Sequence, residues 1–154
     1  MKKMYVKVLP ILMVLVGMSF SFSSCEKDDE GVNKNDLIGS WNTVKSELTV
    51  KKDGKVIYQD DYIDDEGAWI FKKDNTFWIE GDGYTEEIGV WRIKNDKIQI
   101  AEDSDWDDIV TLKVLTLNSK NLVLQDEDAF WEDDNGNVYE GNDVVSKIYF
   151  EKVK

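Results

Sequence analysis

From Asp36 onward, apolar and polar residues alternate with a period of two, and turn dipeptides break the pattern at short, regular intervals. That is the signature of half-buried β-strands rather than helices. Residues 37–50 predict a long first strand. Lys52-Asp53-Gly54-Lys55 predicts a tight hairpin, because Asp-Gly accepts the positive φ such turns demand. Strands follow over 56–60, 69–72, 76–79, 88–94, 97–101, 109–117, 122–125, 138–139 and 144–152, with acidic loops around 60–67, 102–108 and 126–134. About nine strands joined by short turns predict an antiparallel meander, closed as a barrel or stacked as a sandwich. Pro10 is the only proline, so no strand beyond it is interrupted by one.

The first 25 residues read differently. Lys2, Lys3 and Lys7 precede an uncharged, largely apolar run over 8–22, then small residues and Cys25. A positive start, an apolar middle and a small-residue zone make a secretory leader. As a helix the run would extend only about 22 Å, short of a ~30 Å hydrocarbon core. The expected organisation is a leader over 1–24, an acidic flexible tether over 25–35 and one β-domain over 36–154. Cys25 is the sole cysteine, so no internal disulfide is available.

Charge narrows the partners. The chain stands at −13, and a leader with three lysines and no acid leaves the remainder at −16. Nucleic acid, which needs a basic face, is excluded as an expected partner, and anionic lipid is disfavoured. Histidine is absent, which removes the usual general base and the commonest metal ligand. No nucleophile has a histidine partner, no zinc set can be assembled, and no glycine-rich phosphate loop occurs. The expectation is a protein that is not an enzyme and carries no cofactor. For metals the one candidate is calcium at Asp103, Asp105 and Asp107, which lack an EF-hand's glycine and distal glutamate.

Two resemblances add to this. Phe22-Ser23-Ser24-Cys25 resembles a bacterial lipobox, although Phe22 and Ser24 stand where Leu and Gly or Ala are usual. It implies acylation of Cys25 and a lipid anchor in the cell envelope. Lys27-Asp28-Asp29-Glu30 resembles the signal behind the acylated cysteine of surface-exposed Bacteroidetes lipoproteins, implying the outer membrane and its outer face. Gly39-Ser40-Trp41 resembles the opening of lipocalins and of the lipocalin-like lipoproteins of Bacteroidetes. Residues 69–77, 89–98 and 115–124 resemble that family's successive hairpins. The resemblance implies a single antiparallel up-and-down barrel of eight or nine strands. In lipocalins an arginine often packs over the first tryptophan; here the only arginine, Arg92, sits beside Trp91, so that role is not carried to it.

In such a barrel Trp41 would plug the closed end, with Gly39 permitting close backbone approach and Gly89-Val90-Trp91 echoing it. Period two selects Trp69, Phe71, Phe77, Ile79, Trp91, Ile93, Ile98, Ile100, Leu122 and Leu124 as inward candidates. A barrel this size either fills with side chains or holds one small ligand. Two readings follow. One is a membrane-anchored protein that binds a small apolar or amphipathic ligand inside. The other is a surface module with a filled core that binds protein or glycan through its acidic loops and Trp78, Trp106 and Trp131.

Overall fold

A computed structural model describes residues 31–62 and 67–154; Cys25, the leader and residues 26–30 and 63–66 lie outside the described residues. Alternation and turn chemistry set the local structure. Asp53 and Gly54 both take positive φ, and so do Asn95 and Asp96. That handedness matches the twist of the strands it joins. Asp74 closes the next hairpin as an Asx turn, its Oδ1 accepting from the Thr76 amide at 3.0 Å and the Thr76 hydroxyl at 2.7 Å.

The strands are β1 Gly39–Lys52, β2 Lys55–Tyr62, β3 Ala68–Phe71, β4 Thr76–Gly81, β5 Tyr84–Lys94, β6 Lys97–Ala101, β7 Ile109–Leu117, β8 Asn121–Asp126, β9 Phe130–Glu132, β10 Val138–Glu140 and β11 Val144–Lys152. β1, β3, β4, β5, β6, β7, β8 and β11 each pair antiparallel with the next, and β11 returns to pair with β1. This is a closed eight-stranded up-and-down barrel, the architecture the resemblance implied. Closure leaves no free edge in the ring. β2 is an extra strand on the far half of β1 (Ser46 opposite Tyr62, Val50 opposite Tyr58), while β3 takes the near half (Gly39 opposite Phe71).

Three features depart from the sequence expectation. A one-turn helix, α1 Lys34–Leu37, precedes β1 where a tether and then the first strand were expected. Asn33 caps it, accepting from the Asn35 amide at 2.9 Å. β5 begins at Tyr84 rather than Ile88, and the acidic stretch around Phe130 contains β9, paired with β10. The turn between them is built by Asp133, whose Oδ1 accepts from the amides of Asn135 and Asn137, each at 2.9 Å.

Bulges reset which residues face inward. In β1, Trp41 and Thr43 are buried, the register slips between Thr43 and Lys45, and Ser46, Leu48 and Val50 are buried thereafter. One extra residue in one strand exchanges its two faces. Between β4 and β5 a bulge at Phe77/Trp78 lets Gly89 lie opposite Phe77 while Glu86 lies opposite Ile79. Gly89 is required there: a Cβ would stand 2.0 Å from the Ala101 carbonyl oxygen.

Candidate functional site

The barrel interior has two chemically distinct parts. Its closed end is aromatic. Trp41, Phe71 and Trp91 are fully buried and Phe77 nearly so. Phe71 lies 5.2 Å from Phe77 and edge-on to Trp91 at 5.4 Å; Trp69 lies 5.4 Å from Phe77 and 5.1 Å from Phe150. Offset and edge-to-face pairs of this kind add to the stabilisation from burial. Each plug tryptophan satisfies its indole: Trp41 Nε1 donates to the Leu37 carbonyl at 2.8 Å, and Trp91 Nε1 to the Lys72 carbonyl at 3.1 Å. Lys152, near the end of β11, covers Trp41 with its ammonium 4.8 Å from the ring centroid, and Lys34 stands 5.3 Å over Trp91. The cation over the first tryptophan is therefore a lysine from the last strand. Arg92 instead points outward onto Trp106, 3.7 Å from its ring, with Nε donating to Gln99 at 2.8 Å.

Higher in the barrel the wall turns polar. Thr43, Ser46, Ser146 and Asp126 are the buried polar residues among those described. Register places Asp126 between Leu112 of β7 and Ser146 of β11, and Ser146 opposite Leu48 of β1. Directly paired residues share a face, and Leu112 and Leu48 belong to the core, so Asp126 and Ser146 face inward. The same row continues onto β2 at Asp60, opposite Leu48. Tyr58 donates to Asp60 at 3.0 Å; burial, then that carboxylate, pushes the phenol up to about 12.

Ile79 and Ile148 keep 8 % exposure, against 0 % for Leu122 and for Leu124, which lies directly opposite Ile148. No side-chain nitrogen or oxygen among the described residues is shut off from both solvent and partner. Ser46 and Ser146 are buried, and their hydroxyls have no side-chain hydrogen-bond partner among the described residues.

The carboxyl of Asp126 accepts the Asp128 amide at 2.9 Å on Oδ1. Burial pushes its pKa up, reinforced by the nearby charges of Asp128 and Glu127 and only partly offset by that hydrogen bond. The surrounding mouth is acidic: 102–108 and 127–143, which join strands there, hold five and seven acids and no base. The closed end carries Lys34, Lys72, Lys73, Lys94, Lys120 and Lys152 beside Asp36, Asp74 and Asp96.

The sequence-selected inward residues fall on both parts. Trp41, Trp69, Phe71, Phe77, Ile79, Trp91, Ile98, Ile100, Leu122 and Leu124 are buried in one cluster, and Ile93 packs against it half-buried. Thr43, Ser46, Asp126 and Ser146 escaped sequence reasoning. Period two from Leu122 and Leu124 reaches Asp126 next, and that was the available signal. Asp103, Asp105 and Asp107 do not converge; Asp103 instead accepts the Asp105 amide at 2.9 Å, and no metal-binding group of three or more occurs among the described residues. The loop tryptophans are half-buried and engaged: Trp78 lies under the Lys72 ammonium at 3.5 Å, Trp106 under Arg92, and Trp131 stacks on Tyr58 at 5.0 Å.

No family model matches the chain. No curated protein matches it either. Among solved structures it is similar to bovine odorant binding protein in a complex with a selenium-containing odorant, at 15% identity over 84% of this chain and 78% of that chain, with a TM-score of 0.39. The barrel assignment stands on the strand order and register described above.

Proposed function

We propose that this protein is a non-enzymatic binding protein, held at the cell envelope by a lipid on Cys25, that takes a small amphipathic ligand into its barrel. The observation that carries the reading is the buried polar wall of Ser46, Ser146 and Asp126 above an aromatic floor. A barrel meant only to fill itself has no use for inward hydroxyls and a carboxylate, since burying them costs free energy unless they are paired. Apolar walls with a few convergent polar groups are what small-molecule sites present. The surface-module alternative has less support, because Trp78, Trp106 and Trp131 are each occupied by a neighbour within the molecule.

The anchor reading rests on the leader and the residues before Cys25. A single acyl chain holds a protein to a bilayer only marginally, whereas a multiply acylated cysteine holds it stably. Outer-membrane, surface-exposed placement in a Bacteroidetes-type envelope belongs to the same proposal and rests on Lys27-Asp28-Asp29-Glu30.

The test titrates residues 26–154 with the uncharged dye N-phenyl-1-naphthylamine. Saturable one-to-one binding that is lost when Ile148→Trp fills the interior supports the reading. Absence of saturable binding, or binding that the filled variant leaves untouched, overturns it. Metabolic labelling with an alkyne fatty acid, abolished by Cys25→Ala, tests the anchor separately.

A further inference from the structure

We propose that the ligand of this barrel carries a protonated amine, which pairs with the carboxylate of Asp126 while its apolar part lies along the aromatic floor; this rests on the binding reading above and deepens it. Asp126 is 4 % exposed and faces inward between Leu112 and Ser146. One oxygen takes the Asp128 amide. The other accepts no hydrogen bond from the described residues, and none of their ion pairs includes Asp126. A carboxylate removed from water without a cation is unfavourable unless a partner arrives or it takes up a proton. An ammonium ligand supplies that partner and brings a further N–H donor to the hydroxyl of Ser146, which pairs directly with Asp126 and can accept it.

The charge of the whole molecule agrees with this from a separate direction. The segments at the mouth, 102–108 and 127–143, carry twelve acids and no base, of which Glu127 is paired with Lys97, while six lysines stand at the closed end beside Asp36, Asp74 and Asp96. A ligand approaching the mouth meets a negative field, which concentrates cations and repels anions. An anionic amphiphile would also face Asp126 and Asp60 along the same inner row. An uncharged alcohol would leave the Asp126 charge unpaired.

Displacement of N-phenyl-1-naphthylamine at neutral pH and moderate salt by decylamine, 1-decanol and decanoate, all below their micellar concentrations, decides the matter. Decylamine is expected to bind about ten-fold or more tightly than decanol, the ratio a 1.4 kcal/mol ion-pair advantage yields, with decanoate weakest. Asp126→Asn should bring decylamine down to the decanol level and leave decanol unchanged. Asp107→Asn removes one charge from the mouth without touching the inner wall, and it should weaken decylamine far less than Asp126→Asn does and leave decanol unchanged. If decylamine and decanol bind alike, or Asp107→Asn weakens the amine as much as Asp126→Asn does, the amine site is overturned while binding inside the barrel stands. If neither the dye nor any of the three binds, both readings fall together.

Discussion

The ammonium of Lys152 stands 4.8 Å from the ring centroid of Trp41 and donates to the Asp36 carbonyl at 2.9 Å. These two residues lie near opposite ends of the β-domain, yet they pair across β1 and β11, the two strands that close the barrel. The ammonium ties α1 to the last strand over the plug tryptophan. Cation–π contact and a hydrogen bond to a carbonyl at a half-buried site are together worth about 1 kcal/mol. Lys152→Met is expected to lower stability by about that amount in chemical denaturation, and Lys152→Arg to recover it.

The chain between β8 and β11 is held down by Trp131, which stacks on Tyr58 at 5.0 Å and meets Tyr139 at 5.4 Å. Ala129, Leu48, Val50 and Val144 complete this second cluster, which is separate from the aromatic floor. Local opening follows the contacts that hold a segment, not the global stability. Trp131→Ala should therefore speed amide hydrogen exchange over 128–141 while β6, β7 and β8 keep their protection. Uniform loss of protection would show that the segment is integral to the barrel.

On the outer face, Glu47 accepts from Lys45 at 2.6 Å and from the Tyr149 hydroxyl at 2.7 Å, bridging β1 to β11. Burial alone would push its carboxyl up, but the Lys45 and Tyr149 hydrogen bonds outweigh it and hold the pKa below the usual 4.5. A carboxyl with a depressed folded-state pKa stabilises the fold above its unfolded pKa and loses that contribution as the pH falls through the folded value. Glu47→Gln should cost about 0.5–1 kcal/mol at pH 7, the scale of a partly solvated pair. The difference in Tm between the two proteins should shrink as the pH drops below 4.5.

Asp126 has the opposite sign. Its pKa is raised by burial and by the charges of Asp128 and Glu127. The residues facing it from β7 and β11, Leu112 and Ser146, supply no cation. A carboxyl with a raised folded-state pKa weakens the fold as the pH rises above the ordinary aspartate value of 3.8. Asp126→Asn keeps the shape and an oxygen for the Asp128 amide. Without ligand, the variant should melt about 3–6 °C higher at pH 7, corresponding to about 1 kcal/mol in a domain this size. That advantage should vanish near pH 3.

Most of the strand plan was legible in the sequence. Alternation within β3, β4, β6 and β8 identified Trp69, Phe71, Phe77, Ile79, Ile98, Ile100, Leu122 and Leu124 as one face, because period two holds wherever a strand is unbroken. Asp53-Gly54 and Asn95-Asp96 marked their turns, because few residues tolerate positive φ. Bulges were not legible. The slip after Thr43 moves the inward set of β1 onto Ser46, Leu48 and Val50, and the one at Phe77 sets the exposed Glu86 opposite Ile79. A bulge arises from how a strand meets its partner, and β11 lies about a hundred residues from β1. The short β9 was hidden for the same reason: its tryptophan is held by Tyr58 of β2, not by its own neighbours.

The sequence by itself thus determined an acidic all-β chain with short turns, a lone cysteine behind an apolar run and an inventory without histidine. Tertiary structure decided that the strands close into a barrel, that Lys152 rather than Arg92 covers Trp41, and that Asp126 faces the interior without a counter-charge among the described residues. The physical reason is that composition and local geometry act over a few residues. Burial, pairing and the electrostatic environment of a carboxylate are set by whichever strands the closed sheet brings beside it.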